Sequence, residues 1–304
     1  MIIDKKSKNV VILFSDCNSL IGQQIKRRQD NTFEIYKGQA LVNRIIRKFH
    51  FKTNIPYQQI WYGSWKKHIS DNTTIILFDS IFNIKIINWI KRRWKNVRII
   101  FWFWNPVKQD LYKDLIKESG IELWTFDPED SIKYNLKFNT QFYFDTIKLQ
   151  NEELQYDILF VGKDKGRYDQ LNKLQELFNK NGLNTFFYIV SDTKINTKQG
   201  TYSHGMSYSL LLDYVAKSKA ILDIVQEGQE GLTLRSMEAL FFEKKLITNN
   251  QSIIKEKFYR KENIFIIGHD KIDEIEEFMN AAYIKNTEEV LKYYDFNAWI
   301  NRFF

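Results

Sequence analysis

The chain has 304 residues, of which 44% are hydrophobic and 16% aromatic, enough for two domains of about 150 residues with buried cores. Three prolines and twelve glycines exclude collagen-like sequence, turn-rich repeats and long disordered linkers. The net charge of +8 favours polyanionic partners: nucleic acid, anionic lipid surfaces or nucleoside diphosphates.

Cysteine usage and hydropathy indicate a cytoplasmic protein. The single cysteine, Cys17, excludes an internal disulfide, and no apolar run approaches the roughly 18 to 20 residues of a membrane span. The start of the sequence is polar rather than an apolar signal segment. Basic clusters interleaved with aromatic residues occur at positions 26–28, 44–52, 66–67 and 91–95. Each is either a solvated helix face or a contact with the inner face of the cell membrane.

The first half alternates between strand and helix patterns. Strands are predicted at residues 10–14, 59–61, 74–78, 98–102 and 121–124. Helices are predicted at residues 20–28, 40–49, 84–94 and 108–119. Because apolar strands separated by helices form parallel sheets, we expect a sheet covered on both faces.

Near residue 151 the sequence becomes polar, and the same pattern then starts again. Strands are predicted at residues 157–161, 185–190, 220–225, 245–248 and 264–267. Helices are predicted at 168–180, 209–217 and 231–242, and 288–304 is expected to form one or two helices that cross back to the first domain. The pattern predicts an α/β chain of two facing, doubly wound, Rossmann-like domains, 1–150 and 151–304. Ligands of such folds bind beyond the carboxyl ends of the strands, so we expect an interdomain cleft.

The segment 227–238, Glu-Gly-Gln-Glu-Gly-Leu-Thr-Leu-Arg-Ser-Met-Glu, lies between a predicted strand and a predicted helix. A helix N-terminus presents unpaired N–H groups to an anion, so this turn predicts a diphosphate site. The predicted donor-binding residues are Gly231, Leu232, Thr233, Arg235 and Glu238. Glu230 and Glu238 would fix a polyhydroxylated partner, and Glu230 is a catalytic candidate. The alternative is a capping carboxylate and a solvated helix glutamate.

Two further loops of the second half are candidate donor contacts. Gly162, Lys165 and Arg167 follow a strand and precede a helix, where they could cradle a diphosphate, although the spacing is not that of a Walker loop. His204 lies beside a glycine in a loop that leads to Tyr208, and it is either a ligand contact or a surface histidine. The other histidines have no metal-ligand spacing and no Asp-x-Asp motif is present, so we expect neither a metal nor a cofactor.

Polar residues also follow two predicted strands of the first half. Asp16 is either a catalytic base or ligand of an acceptor hydroxyl, or a helix cap beside Asn18. Trp104 and Asn105 suit sugar stacking and hydroxyl recognition, with core packing as the alternative for Trp104. We therefore expect the first domain to bind the acceptor through these residues.

Several segments together resemble a known family. They are 101–106 (Phe-Trp-Phe-Trp-Asn-Pro), 123–130, 160–167, 221–238 and 244–250. They resemble bacterial lipopolysaccharide core or capsule biosynthesis proteins, which are similar to GT-B glycosyltransferases. The resemblance implies that the second domain holds the nucleotide-sugar, with 162–167 as the phosphate-side loop and 230–238 as the donor-sugar and ribose segment of retaining enzymes. The usual glycine-rich acceptor loop is replaced by residues 16–19, which leaves stereochemistry and acceptor open.

These observations favour a metal-independent glycosyltransferase that uses a nucleoside diphosphate sugar to extend a cell-envelope glycan. One alternative is a sugar-nucleotide epimerase on the same fold. Another is a non-catalytic binding protein for anionic lipid or nucleic acid, which would not need Glu230 and Glu238. Nucleic acid is not the partner that the glycosyltransferase interpretation predicts.

Overall fold

The computed structural model describes residues 9–53, 55–79, 84–118, 120–192 and 202–304. The polar residues 4–8, part of the sequence argument against a signal segment, lie outside these ranges. The chain divides into two compact units, Met1–Asn139 and Thr140–Phe304. Among the described helices, none is both long and apolar enough to cross a bilayer.

The first unit is built on a six-stranded parallel sheet. Its strands are β1 (Val10–Phe14), β2 (Thr32–Glu34), β3 (Thr74–Phe78), β4 (Arg98–Phe103), β5 (Ile121–Thr125) and β6 (Lys137–Phe138). They are ordered β2-β1-β3-β4-β5-β6, and all pairs are parallel. In β1, Val11 and Leu13 pack in one core cluster, and the intervening Ile12 is also fully buried. Both faces of the sheet are therefore covered, as the near-continuous apolar strands predict.

Helices and 3-10 turns connect these strands. The helices are α1 (Leu20–Arg28), α2 (Leu41–Lys52), α3 (Lys85–Arg93), α4 (Gln109–Leu115) and α5 (Pro128–Lys133). Ser19 caps α1 by accepting a hydrogen bond from the Gly22 N–H. In α3, Ile86, Ile87 and Ile90 supply the buried face.

The second unit repeats the plan with five parallel strands. They are β7 (Tyr156–Lys163), β8 (Thr185–Val190), β9 (Ser218–Asp223), β10 (Lys245–Thr248) and β11 (Ile264–Ile266). Their order is β11-β10-β9-β7-β8, which is the order of the first five strands of the first unit. The helices are α6 (Tyr168–Lys180), α7 (Tyr208–Ala216), α8 (Leu234–Phe241), α9 (Ile275–Asn280), α10 (Glu288–Tyr294) and α11 (Phe296–Asn301). The prediction of an α/β chain with two doubly wound parallel sheets is confirmed.

One predicted strand is wrong. Residues Gln58–Trp61 form a 3-10 turn instead, and Tyr57 precedes it in a left-handed conformation with φ of 67°. Trp61 donates its indole N–H to His50 Nδ1 at 2.9 Å, so the side chains of this segment pack against the end of α2. The strand beside β1 is β2, whose three residues are too short a run to show a strand period.

Helices α10 and α11 close the second unit against its own first residues. Tyr143 donates its backbone N–H to the Tyr294 carbonyl and accepts from the Phe296 N–H, both at 3.0 Å. The Trp299 ring is fully buried and lies 4.4 Å from the Phe142 ring. The expectation that these helices cross back to the first domain stays a prediction.

Candidate functional site

In the second unit the strand order reverses between β7 and β9. The strand after β7 in sequence lies on one side of it, and β9 and β10 lie on the other. Loops that leave the carboxyl ends of such strands diverge and open a crevice, where doubly wound folds bind ligands. The two segments that the sequence singles out, 162–167 and 227–238, follow these two strands.

Arg167 joins the two loops across the crevice. Its guanidinium donates to the Lys163 carbonyl at 2.8 Å, to the Asp164 carbonyl at 3.0 Å, and to the Ile224 carbonyl beyond β9. Because backbone carbonyls occupy these donors, Arg167 fixes the shape of the phosphate-side loop. The predicted direct contact of its guanidinium with a phosphate stays a prediction.

Lys165, like Lys163, is an exposed cation of this loop. Its residue is exposed, and its ammonium makes no hydrogen bond or ion pair with any described residue. Partial burial of the amine and the nearby Arg167 lower the pKa of Lys165. The backbone N–H of Lys165 donates to Asp192, which holds the left-handed turn at φ of 50°.

The N-terminus of α6 lies directly after this turn. Its N-cap residue, Arg167, makes no side-chain capping hydrogen bond to any described residue of the first turn. The 13-residue helix therefore presents backbone N–H groups and the positive end of its dipole at the end of the loop that carries Lys165, with Asp169 in its first turn. This combination favours an anion.

The N-terminus of α8 is arranged differently. Thr233 caps it by accepting from the N–H groups of Arg235 and Ser236, and Thr233 donates to Asp223 at 2.6 Å. Ser236 also donates to Asp223, at 2.9 Å, and Asp223 is almost fully buried at the end of β9. Burial raises the Asp223 pKa, while the two hydroxyl donors act in the opposite direction. The Thr233 hydroxyl thus stabilises the helix start from within the protein.

Arg235 and Glu238 form a buried ion pair on α8. The Arg235 side chain is 22% exposed and that of Glu238 is 0% exposed. Arg235 also donates to the Val161 carbonyl of β7 at 3.0 Å. Burial lowers the Arg235 pKa, but Glu238, Tyr208 and Asp223 together more than offset this, so the net direction is upward. The ion pair ties α8 to the strand on the other side of the crevice.

Two tyrosines extend this ion pair into a network. Tyr208 donates its hydroxyl to Glu238 at 2.6 Å, since a carboxylate can only accept. The Tyr143 hydroxyl is 2.7 Å from that of Tyr208 and is therefore the donor of this second bond. Burial and the Glu238 charge raise the Tyr208 pKa well above its ordinary value. The polar groups of Tyr208 and Glu238 are already paired with each other and with their neighbours. Any effect of these two residues on the nucleotide-sugar would therefore have to be indirect, through this hydrogen-bond network.

The remaining predicted donor residues lie around the same strand ends. Glu230 is half-buried, and its carbonyl accepts from Asn250 at 2.9 Å and Ser252 at 3.0 Å. Gly231 and Leu232 are buried. His204 is exposed before α7. Their roles stay predictions.

Gly162 lies where β7 reaches the crevice. A Cβ atom there would come within 3.2 Å of the Phe160 ring, so the position favours a residue without a side chain. Within the described residues, no group of three or more histidine, cysteine, aspartate or glutamate side chains could hold a metal ion.

In the first unit, Asp16 and Asn18 lie in the turn after β1. One Asp16 carboxylate oxygen accepts from the N–H groups of Asn18 and Ser19, at 3.0 and 3.1 Å. These bonds hold the turn that precedes α1, whereas the N-cap of the helix is Ser19, so Asp16 is not itself the cap that the alternative predicted. Asp16 and Asn18 are both exposed, and their predicted catalytic and acceptor roles stay predictions.

Trp104 and Asn105 follow β4 and surround a carboxylate that sequence reasoning missed. The Trp104 ring packs against Phe14 and Phe78, with centroids 5.7 and 5.1 Å apart. Asn105 donates its backbone N–H and its amide to Asp79, at 3.1 Å each. Asp79 directly follows the buried strand β3, beside the first unit's own reversal of strand order, and that position was the available signal.

Burial raises the pKa of Asp79 to about 6, although the Asn105 hydrogen bonds lower it. From its ordinary value near 3.8 up to about 6, the folded state therefore binds more protons here than the unfolded chain. Stability from this group is greatest below that window and is lost as pH rises through it. Relative to Asp79→Asn, the wild type should gain free energy of unfolding when pH falls from about 7 to about 4. Urea unfolding of both proteins at the two pH values measures this, and parallel pH dependences would contradict it.

Two kinds of sequence comparison give no relative, and structure comparison gives distant ones. No family model and no curated protein matches the chain. The DNA-modifying enzyme β-glucosyltransferase, solved with and without uridine diphosphoglucose, is similar over 94% of this chain and 91% of its own, with 13% identity and a TM-score of 0.47. A protein described as a UDP-N-acetylglucosamine 2-epimerase from Listeria monocytogenes is similar over 93% of both chains, with 8% identity and a TM-score of 0.42. At this level of similarity, the functional argument depends on the residues of the chain itself.

Proposed function

We propose that this chain is a metal-independent GT-B-type glycosyltransferase whose second unit binds a nucleoside diphosphate sugar. One observation carries the proposal: the N-terminus of α6, with no described side-chain cap, begins at the end of the loop that carries Lys165, at the reversal of strand order. A diphosphate requires backbone N–H donors and positive charge, and this position offers both.

The same position suits the chemistry of sugar transfer. Breaking the bond between sugar and diphosphate develops negative charge on the departing phosphate oxygens. Preformed cations and helix N–H groups stabilise that charge without a metal. Lys165 and the first turn of α6 would supply this stabilisation directly. Arg167 would hold the loop in the geometry that presents them, because its donors bond the carbonyls of Lys163, Asp164 and Ile224.

The network around Glu238 would support binding of the nucleotide-sugar indirectly, by holding α8 in position. Arg235 links α8 to the Val161 carbonyl, and Tyr208 fixes the other Glu238 oxygen. Direct contact with the donor sugar would then fall to Glu230, which is half-buried at the loop after β9.

On the acceptor side we add Asp79 to the sequence candidate Asp16. A base that accepts a proton from a sugar hydroxyl works best with a pKa near the operating pH. Asp79, whose pKa burial raises to about 6, fits this requirement. The neighbouring Trp104 offers an aromatic surface and Asn105 an amide.

The acceptor that we propose is a cell-envelope glycan, as in lipopolysaccharide, capsule or exopolysaccharide assembly. This finer assignment is supported by the resemblance of the segments 101–106 and 221–238 to that family. A lipid-linked acceptor would require the protein to work at the inner face of the membrane, so peripheral association is part of the proposal.

A panel of nucleoside diphosphate sugars in excess EDTA tests the proposal. At about 100 times its dissociation constant a correct donor should add roughly 2.7 kcal/mol to the free energy of unfolding. With a glycan acceptor, release of nucleoside diphosphate should survive the chelator. Activity that EDTA abolishes and manganese restores would refute the metal-independent mechanism. Isomerised nucleotide-sugar without acceptor would identify an epimerase, and no response to any nucleotide would refute the donor site.

A further inference from the structure

Helix α2 turns its apolar face away from the protein. Five of its side chains are large, apolar and between 49% and 69% exposed: Leu41, Val42, Ile45, Ile46 and Phe49. At 100° per residue these positions fall within one sector of about 140°. We refer to these five side chains as the α2 apolar face.

The opposite side of α2 holds the helix on the protein with an arginine. Arg47 is 6% exposed, and it donates to the carbonyls of Lys37 at 3.0 Å and Gly38 at 3.4 Å. Its guanidinium lies 4.7 Å from the centre of the Tyr36 ring. Phe51 packs on the same ring, with centroids 5.4 Å apart. The inward side is thus fixed by polar and aromatic contacts, which defines the outward orientation of the apolar face.

The apolar surface continues beyond the helix. Ile55, Tyr57 and Ile60 are 47%, 71% and 49% exposed. His50 anchors this segment to the end of α2, because its Nε2 lies 3.1 Å from the Ile55 carbonyl and 2.9 Å from that of Pro56. The segment that carries these three exposed apolar side chains is therefore held to the C-terminal end of α2.

The basic residues beside the α2 apolar face indicate what kind of partner it binds. Arg44 and Lys48 are exposed along one flank of the α2 apolar face, Lys52 is exposed in the last turn of the helix, and residues 41–53 contain no aspartate or glutamate. An apolar helix face bordered by cations matches an anionic lipid surface, with the apolar side chains at the acyl boundary and the cations at the headgroups. A second copy of this chain is a poorer match, since it would bring a protein of net charge +8 against its own cationic flank.

We propose that the α2 apolar face binds anionic membranes, with α2 lying in the plane of the lipid surface. This inference rests on the proposed function in that it names the surface for the peripheral membrane association, but it does not depend on the donor site, which lies in the other unit. The interaction should combine burial of the five apolar side chains with attraction between the cationic flank and the headgroups. It should therefore weaken, without disappearing, as salt rises.

Vesicle co-sedimentation of the whole chain tests this proposal. Wild type should bind vesicles containing about 30% phosphatidylglycerol at least roughly tenfold more strongly than phosphatidylcholine vesicles. Ile45→Ser with Phe49→Ser should lower binding to anionic vesicles roughly tenfold or more. The matched control is Ile116→Ser with Ile132→Ser, because these side chains are 54% and 84% exposed elsewhere in the same unit.

A second pair of variants separates the electrostatic contribution to vesicle binding from the apolar one. Arg44→Ala with Lys48→Ala should reduce the preference for anionic over neutral vesicles, whereas Lys173→Ala with Lys180→Ala on α6 should leave it unchanged. Melting curves verify that each variant is folded.

Equal loss of vesicle binding in the apolar variant and its control would overturn the proposal. So would a dimer in solution that Ile45→Ser with Phe49→Ser dissociates, because the occupant would then be a second copy. Nucleotide titration of the apolar variant should match wild type, so failure here is distinguishable from failure of the donor site.

Discussion

Arg235→Ala should lower the free energy of unfolding by about 3 to 5 kcal/mol, because it leaves a buried carboxylate without its cation. The Glu238 side chain is 0% exposed, so water cannot replace the guanidinium without local opening. The substitution also removes the donor to the Val161 carbonyl, which links α8 to β7. Urea denaturation followed by circular dichroism measures the loss.

A compensating variant distinguishes this cause from simple loss of packing. Arg235→Met with Glu238→Gln removes both charges while an amide oxygen can still accept from Tyr208. It should recover more than half of the lost stability. A stable Arg235→Ala protein would show that Glu238 does not need its partner. Arg235, a predicted donor-binding residue, is thus also part of the fold, because its guanidinium bonds Glu238 and the Val161 carbonyl.

Lys165→Gln should weaken nucleoside diphosphate binding roughly ten- to a hundredfold, the effect of losing one charge-assisted contact of about 1.5 to 3 kcal/mol. The fold should be unaffected, because the Lys165 residue is exposed and its backbone contact with Asp192 remains. Calorimetric titration with the nucleoside diphosphate gives the affinity. Glutamine is one atom shorter than lysine but keeps a polar, hydrogen-bonding end, so the change tests mainly the charge.

Lys180→Gln is the matched control, since this lysine is exposed at the other end of α6. It changes net charge equally but lies at the negative end of the helix dipole, and nucleotide affinity should remain near the wild-type value. Equal weakening in both variants would indicate general electrostatic attraction. Unchanged affinity in Lys165→Gln would contradict the proposal that the diphosphate binds at the start of α6.

The strands of the second unit could be predicted well because each is a continuous apolar run between polar turns. Tyr156–Lys163 and Thr185–Val190 are examples, and their helices follow the 3.6-residue period. The error at Gln58–Trp61 has a clear reason. Its apolar residues are Ile60 and Trp61, and Trp61 is held half-buried by its side-chain contact with His50. A short apolar run of this kind does not distinguish a strand from a 3-10 turn.

The position of the candidate site was predictable, but its internal contacts were not. Glycines, cations and hydroxyls after β7 and β9 indicated which strand ends matter. Nothing local in the sequence indicates that Arg235 reaches Val161, which lies 74 positions earlier, or that Arg167 reaches Ile224, 57 positions later. Those contacts occupy guanidinium groups that the sequence left available for phosphate. Partner assignment over such separations depends on the register of the sheet, which composition does not encode.

The docking of α10 and α11 onto Tyr143 has a consequence for the timing of folding. Tyr143 is held between the backbone of Tyr294 and Phe296, and its hydroxyl is the first member of the chain that runs through Tyr208 to Glu238. These contacts join residues about 150 positions apart, so they form late and slow the closure of the unit. During synthesis the strands β7 and β9 that border the crevice are made before α10 and α11. Tyr143 therefore lacks its contacts with Tyr294 and Phe296 until those helices have been made. The second unit should therefore become competent to bind its ligand only after α11 has been made and docked.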